Sequence, residues 1–198
     1  MNYLAHAYLS FKLPDILVGN MISDFIKGKK KYDYSIAIQK GISLHRAIDE
    51  FTDFHPVTNQ AKQFFRPAYR LYSAVFTDVL YDHFLATDST QFENSKALAE
   101  FCQDTYRVLS SYESVSPEKF KRMLPFMVTH DWLYNYKNHE GIRRSFEGLA
   151  RRAKYINESH KAFEIFENNY AALKHCYQEF FPELKKFAYN HLQLLLNE

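Results

Sequence analysis

The sequence is poor in the residues that interrupt helices and in those that cross-link small secreted proteins. It contains five glycines, six prolines and two cysteines among 198 residues. Cys102 and Cys176 lie far apart, without a CxxC spacing or a zinc-finger histidine pattern, which argues against a disulfide framework and against a structural zinc site. We expect both cysteines to be buried, reduced thiols.

Two further absences concern partners and location. The formal net charge is only +2, so no overall electrostatic attraction draws the chain to nucleic acid, and an acidic partner would need a local basic patch. No segment approaches the roughly 20 apolar residues that a membrane span needs, and the N-terminus lacks the pattern of a signal peptide. The expectation is a cytoplasmic protein without a membrane or nucleic-acid partner.

What is abundant is apolar and aromatic surface in a helical pattern. Hydrophobic residues make up 46% of the chain and aromatic residues 17%, which predicts a dense, aromatic core. Apolar residues recur with helical periodicity, and the alternation typical of strands is scarce. The length suits one domain. We therefore predict an all-α, single-domain helical bundle that covers residues 1–198.

Proline, glycine and capping residues predict the helix boundaries. Lys29-Lys30-Lys31 should form an exposed loop. In the first third of the chain, helices are predicted over about residues 2–10, from Pro14 to a stop at Gly28, and over 36–54. A fourth helix starts near Thr58, and at Pro67 it either kinks or gives way to a new helix that carries residues 71–86. Further helices are predicted over 95–110, from Ser116 to Tyr136 with a bend at Pro125, and over 141–152, followed by a C-terminal helix that is interrupted at Pro182.

Several of these helices carry acids and histidines where a core would place leucine. His45, Asp49 and Asp53 follow one another at i, i+4 steps beside a core stripe, and Asp78 and Asp82 interrupt an apolar face. Burying an unpaired carboxylate costs several kcal/mol, so a buried cluster of this kind normally holds a cation. Mixed histidine and carboxylate ligands suit manganese, iron, zinc or magnesium.

Helix geometry divides these residues into roles. Asn2 and Asn20 lie one turn from His6 and Asp24, and we expect them to bind substrate. His83 or Asp78 is expected to orient a ligand or to donate a proton. The predicted metal ligands are His6, Asp24, His45, Asp49 and Asp82.

Simpler explanations exist for individual members of this set. An isolated i, i+4 pair such as Asp78 and Asp82 is typical of a solvated helix face. Asp53, which precedes His55-Pro56, is equally consistent with bracing a turn. Arg46 could merely pair with an acid one turn away. The prediction of a metal site rests on the coincidence of polar residues on four segments.

The second half of the chain carries no comparable cluster. His130-Asp131 has no repeated spacing around it and is predicted to be a boundary or surface pair. Arg143-Arg144 and Arg151-Arg152 could hold an anionic substrate or an acidic protein, because guanidinium groups bind phosphate and carboxylate with two hydrogen bonds. An exposed helix face would explain the same arginines.

Several short sequence blocks occur in a fixed order along the chain. They are residues 2–6 (NYLAH), 19–28 (GNMISDFIKG), Gly41-Ile42, His45-Arg46, Ile48-Asp49, Thr52-Asp53, Asp78-Val79 and 82–85 (DHFL). These blocks resemble the acyl carrier protein phosphodiesterase family. The resemblance covers most of the chain, and Trp132-Leu133 and Arg151-Arg152 also match. It implies an atypical branch of the HD-type metal phosphohydrolases, with an HD-like helical fold and manganese as the favoured ion.

One departure limits what the resemblance transfers. The HD pattern has adjacent His-Asp, whereas this chain has Asp82-His83 in the reverse order. The implied reaction removes 4′-phosphopantetheine from holo-acyl carrier protein, with the carrier serine oxygen as leaving group. Arg46 would neutralise charge on the phosphoryl oxygens, while Arg151, Arg152 and Lys29 to Lys31 would meet the acidic carrier.

Two functional alternatives, besides a structural helical protein, use the same residues. A phosphohydrolase of a nucleotide or small phosphodiester would have the same metal site and would need no acidic partner. A helical module that binds carrier protein without cleaving it would leave the mass of the carrier unchanged.

Overall fold

A computed structural model describes residues 1–152 and 160–197, with the side chain of Arg152 outside the description. The predicted all-α class is confirmed: these residues form α-helices, joined in places by short 3₁₀ helices. The 3₁₀ helices are Ser23–Phe25, Gly28–Asp33, Arg70–Tyr72 and Glu113–Val115. The α-helices are α1 (Tyr3–Tyr8), α2 (Pro14–Ile22), α3 (Ile36–Phe54), α4 (Pro56–Tyr69), α5 (Ser73–Ala86), α6 (Ser95–Ser111), α7 (Glu118–Thr129), α8 (Trp132–Asn135), α9 (His139–Arg152), α10 (His160–Asn168) and α11 (Tyr170–Asn197).

Local capping explains several helix starts. The side chain of Asn2 accepts a hydrogen bond from the amide of Tyr3 at the start of α1, and Ser35 accepts one from Ile38 at the start of α3. Pro14 and Pro56 occupy first-turn positions in α2 and α4, where a missing amide hydrogen costs nothing. The predicted bounds of α3 are confirmed at both ends.

Other predicted boundaries were wrong. The second α-helix ends at Ile22, six residues before the predicted stop at Gly28. Lys29 to Lys31 lie in the 3₁₀ helix Gly28–Asp33 instead of in a loop. The helix after Pro117 stops at Thr129, because Asp131 takes a left-handed conformation with φ of 45° before α8. Conversely, α11 continues through Pro182, where we had predicted an interruption.

Two glycines let α2 and α3 approach each other closely. An added Cβ on Gly41 would lie 2.9 Å from the Cα of Gly19, and one on Gly19 would lie 2.9 Å from the backbone nitrogen of Ile42. Only hydrogen at these positions permits this packing. The contact fixes α3, which carries His45 and Asp49, against the helix that leads to Asp24.

The core is apolar and rich in aromatic rings, as the composition predicted. Phe65, Phe76 and Phe146 pack together, joining α4, α5 and α9. Cys102 and Cys176 are both buried and unpaired. No helix within the described ranges has the length and hydropathy of a transmembrane span.

Candidate metal centre

Two histidines and an aspartate from two helices, α1 and α3, converge at one point. The possible ligand atoms of His6 on α1 and of His45 and Asp49 on α3 all lie within 4.8 Å of one another. The two imidazole rings stack with their centroids 3.9 Å apart. Asp24, in the first 3₁₀ helix, adds a carboxylate oxygen 3.2 Å from Nε2 of His45. We call these four residues the His/Asp cluster.

The neighbours of His6 determine which of its nitrogens carries the proton. The side-chain amide of Asn20 donates to the backbone oxygen of His6 at 2.9 Å and to Oγ of Ser10 at 3.1 Å, which orients the amide. Its Oδ1 therefore faces Nδ1 of His6, 2.8 Å away, and accepts a hydrogen bond from it. In neutral His6 the lone pair is then on Nε2, the nitrogen that faces the cluster.

Nitrogen and oxygen acceptors face each other across the cluster. Nε2 of His6 lies 3.1 Å from Oδ1 of Asp49, and Nε2 of His45 lies 3.1 Å from Oδ2 of the same carboxylate. A lone pair on nitrogen repels a carboxylate oxygen at such a distance unless a proton or a metal ion lies between them. The donor set therefore fits a divalent cation with nitrogen and oxygen ligands.

The pKa values of His6, His45 and Asp49 also indicate that the cluster favours a positive charge between its nitrogen and oxygen atoms. Burial and the adjacent ring of His45 lower the pKa of His6 to about 4. Burial also opposes protonation of His45, but hydrogen bonds to Asp24 and Asp49 raise its pKa to about 9. Although burial works against it, hydrogen bonding to both histidines lowers the pKa of Asp49. Two stacked rings share one positive charge in this arrangement, since protonating both would place like charges side by side.

The two histidines are oriented to different degrees. Nδ1 of His6 is hydrogen-bonded to Asn20, whereas Nδ1 of His45 is buried without a hydrogen-bond partner among the described residues. A histidine that binds a metal through Nε2 is usually held by a hydrogen bond at Nδ1. His6 meets this requirement, and Asn20 is the residue that holds it.

Asn20 and Asp82 differ from their predicted roles. Asn20 is fully buried and uses both ends of its amide on His6 and Ser10, so in this structure it orients the His6 ring. Asp82, on α5, is also fully buried, and it accepts hydrogen bonds from the amides of Leu4 at 2.7 Å and Ala5 at 3.2 Å. Burial raises its pKa to about 7. Asp82 therefore caps α1 instead of joining the cluster.

His83 also lies in a different environment from the one predicted. Its Nδ1 is 2.7 Å from the backbone oxygen of Tyr136, and its Nε2 is 3.2 Å from the hydroxyl of Tyr170. Burial lowers the pKa of His83 to about 4, which favours the neutral ring. With both nitrogens engaged by groups outside the cluster, His83 joins α5 to α8 and α11.

Asp78 and Asp53 pair with cations near the cluster. Asp78 lies 3.1 Å from the amino nitrogen of Met1, which is also 3.3 Å from Asp49. Asp78 is thus linked to Asp49 of the cluster through the amino group of Met1, and it is not one of the converging residues. Asp53 pairs with Lys62 on α4 at 2.9 Å, which braces the corner between α3 and α4.

The remaining predicted site residues lie around the cluster or on α9. Arg46 is exposed, and its guanidinium nitrogen is 3.4 Å from the backbone oxygen of Ile26. Asn2 and Arg151 line a cavity of about 680 Å³ between the start of α1 and α8–α9. Arg152 ends α9, and its side chain lies outside the described residues. No sequence motif marks this cavity, because its lining residues come from segments that are far apart along the chain.

Comparison with known proteins supports the same family that the sequence blocks indicated. Residues 1–184 match the family model described as acyl carrier protein phosphodiesterase. A protein of that name from Photorhabdus laumondii is 30% identical over 190 residues, which cover 96% of each chain. Another from Yersinia pestis is 29% identical over 194 residues, covering 98% of this chain and 100% of the relative. No solved structure matches the chain. The chain therefore belongs to the acyl carrier protein phosphodiesterase family.

Proposed function

We propose that this protein hydrolyses the phosphodiester between 4′-phosphopantetheine and the serine of holo-acyl carrier protein, using a divalent metal. The products are apo-carrier and 4′-phosphopantetheine. The observation that carries this proposal is the convergence of His6, His45 and Asp49 in a member of this family. The relatives that match along nearly their whole length are named for a phosphodiesterase acting on acyl carrier protein.

The His/Asp cluster would hold the ion. A bound divalent ion supplies Lewis acidity toward a phosphoryl oxygen and lowers the pKa of a water molecule toward about 7. His6 is pre-oriented for this task by Asn20, and Asp49 spans both histidines with its two oxygens. The side chain of Asp24 is 67% exposed, so the phosphodiester would approach from its side. Manganese is the ion that the family resemblance implies.

Arg46 is the nearest cation on α3 to serve the phosphoryl group. It follows His45 directly, is exposed, and contacts only the backbone of Ile26 among the interactions described. A guanidinium group beside the ligands would neutralise the charge that develops on phosphoryl oxygens in the transition state. We assign Arg46 this role within the proposal.

Lys29 and Lys30 are better placed than Arg143 and Arg144 to meet an acidic carrier. Lys29 and Lys30 are exposed and form no ion pair within residues 1–152 and 160–197. Arg143 and Arg144 instead both bind Glu140, at 2.9 and 3.0 Å. Charges without a partner attract an acidic surface more strongly, because no existing ion pair must first be broken.

A mass measurement on the carrier tests the reaction. Protein that has been chelated and then repleted with Mn²⁺ is incubated with holo-carrier, and the intact mass of the carrier is followed. We expect loss of the phosphopantetheine mass with repleted protein and no loss with chelated protein. Binding of carrier without a change in mass would assign the chain to a non-catalytic module, and cleavage of small phosphodiesters alone would assign it a different substrate.

Ionic strength tests the docking surface. Because docking is electrostatic, kcat/KM for holo-carrier should fall as salt rises, mainly through KM. Lys29→Glu with Lys30→Glu should weaken this dependence, and Arg143→Glu serves as the matched charge change on α9. If kcat/KM is indifferent to salt, the lysine surface does not dock the carrier.

A further inference from the structure

The cavity between the start of α1 and α8–α9 has a volume typical of sites for small organic ligands. Its volume is about 680 Å³, within the range of about 300–1,000 Å³ that such sites occupy. None of the four residues of the His/Asp cluster lines it. The cavity is therefore separate from the cluster, and its lining residues have no part in the proposed metal chemistry.

Helix α1 connects this cavity to the cluster. Asn2 and Tyr3 line the cavity, and the amide of His6 donates to the backbone oxygen of Asn2 at 3.2 Å. One helical turn, about 5.4 Å along the axis, therefore separates the cavity wall from a predicted metal ligand. On α5, Val79 lines the cavity and directly follows Asp78. On both α1 and α5, the cavity wall therefore lies within about one helical turn of residues at or next to the cluster.

The lining combines aromatic surface with side-chain amides. Tyr3, Trp132 and Tyr136 supply rings, while Asn2, Asn135 and Asn138 supply amide donors and acceptors. Each carboxamide keeps donor or acceptor capacity beyond the hydrogen bonds that it forms within the protein. A chain with methyl groups and secondary amides can use that capacity together with the aromatic surface, whereas a hydrocarbon can use only the rings.

Charge is nearly balanced along the same wall. Arg144 and Glu140 both line the cavity and are joined by a hydrogen bond of 3.0 Å. Arg151, also in the lining, lies 4.0 Å from Glu147. Each of the two lining arginines thus has a carboxylate nearby, and these carboxylates offset the attraction of the arginines for a second phosphate.

We infer that this cavity binds the pantetheine part of the carrier's prosthetic group while its phosphate lies at the His/Asp cluster. Pantetheine has two amides, a hydroxyl and a geminal dimethyl group, and it carries no charge beyond the phosphate end. The inference rests on the proposed function, since that function is what places a phosphopantetheine arm beside the cluster. Binding the arm here would align the phosphodiester with the metal ligands.

Gly148 on α9 offers a way to fill the cavity without disturbing the core. It lines the cavity, and a Cβ added there would meet only the guanidinium of Arg151, at 3.9 Å. Gly148→Leu should therefore project into the recess, whereas Gly148→Ala should leave most of it open. Both changes favour the helical conformation relative to glycine.

Trp132 provides a direct signal, because it is the single tryptophan of the chain and lines the cavity. In the chelated full-length protein, titration with phosphate-free pantetheine should change the fluorescence of Trp132 in a saturable way. Inorganic phosphate should not change it, and Gly148→Leu should abolish the response to pantetheine. No response of the wild-type protein to pantetheine, or a response only to a fatty acid, would overturn the inference.

Kinetics separate this inference from the proposed function. With Mn²⁺-repleted protein, Gly148→Leu should lower kcat/KM for holo-carrier about 30-fold, mainly through KM, while Gly148→Ala stays within about threefold of wild type. Metal content and Tm should match wild type in both variants. If Gly148→Leu cleaves holo-carrier as well as wild type does, the cavity is not the arm site, although the proposed function stands. If wild-type protein leaves the carrier intact, the proposed function itself fails.

Discussion

Two acid–histidine pairs in this protein, one on α3 and one on α5, have different surroundings and therefore different roles. His45 and Asp49 on α3 face ionisable groups, namely His6 and Asp24. Asp82 and His83 on α5 face backbone amides, a backbone carbonyl and a tyrosine hydroxyl. In the first pair, Asp49 places its two carboxylate oxygens against Nε2 of His6 and Nε2 of His45. Every hydrogen-bond partner of the second pair is a neutral group.

The difference shows what makes a buried polar residue a candidate ligand. A buried carboxylate that accepts backbone hydrogen bonds is already satisfied and contributes to folding. A buried imidazole that faces carboxylates without a hydrogen between them needs a cation. Burial alone therefore does not identify a metal ligand, and the chemical type of the partner separates α3 from α5.

Replacing a histidine of the α3 pair should have the largest effect on activity. His45→Ala removes a ligand from the His/Asp cluster and should lower kcat/KM for holo-carrier by at least about 1,000-fold, with loss of bound Mn²⁺. Metal content and carrier mass are the measurements. His175→Ala is a matched control, because His175 forms an exposed i, i+4 pair with Glu179. If His45→Ala and His175→Ala were equally active, His45 on α3 would not belong to the active site.

Replacing the acid of the α5 pair should instead reduce stability. Asp82→Ala leaves the buried amides of Leu4 and Ala5 without an acceptor and should lower the free energy of unfolding by about 3 kcal/mol. Urea denaturation measures this change, and the exposed Asp104→Ala is the surface control. The folded variant should retain its metal. Loss of metal from folded Asp82→Ala would return Asp82 to the ligand set.

The packing that carries the α3 pair can be tested at Gly41. Gly41→Ala would push α3 away from α2, because its Cβ would lie 2.9 Å from the Cα of Gly19. We expect a loss of about 2 kcal/mol of stability despite the helix preference of alanine, together with weaker metal binding. Thermal unfolding and Mn²⁺ titration measure the two effects. Gly148→Ala, where the added Cβ has room, should be neutral or slightly stabilising.

The smallest expected effect concerns the pH dependence of stability at His83. Burial lowers its pKa in the folded protein from 6.5 to about 4, so between these values the unfolded chain binds the proton and the folded protein does not. His83 stabilises the fold fully above its unfolded pKa, and this stabilisation is lost as pH falls through that window. From pH 7 to about pH 5.5 the loss should be about 1 kcal/mol.

A difference measurement isolates this contribution. Asp82, whose pKa is raised to about 7, takes up a proton in the folded protein over the same range and opposes the trend. Comparing urea unfolding of wild type and His83→Gln at each pH cancels that contribution. Identical pH slopes in the two proteins would mean that His83 is not held neutral by the fold.

The helical fold class and the pairing of His45 with Asp49 on α3 could be predicted from the sequence, because both depend on residues within one or two helical turns. The spacing of His45 and Asp49, the capping of α3 by Ser35 and the first-turn positions of Pro14 and Pro56 are local features. The sequence also carried the family resemblance, which the family model matches over residues 1–184.

The roles of Asp82, His83 and Asn20 depended on partners far along the chain. Leu4 is 78 residues from Asp82, and Tyr136 is 53 residues from His83. The periodicity of apolar residues along a helix does not predict contacts between residues so far apart in the chain. The end of α7 and the continuity of α11 through Pro182 were likewise decided by packing around the backbone, not by the residue types alone.

The sequence was enough to predict that this chain is helical, that acids and histidines interrupt its apolar helix faces, and which family it belongs to. Which of those residues meet each other, and where a cavity opens beside them, became visible only in the folded chain. Helix formation follows from neighbouring residues, whereas a metal centre requires ligand atoms from separate helices within a few ångströms. Those distances are set by how the helices pack.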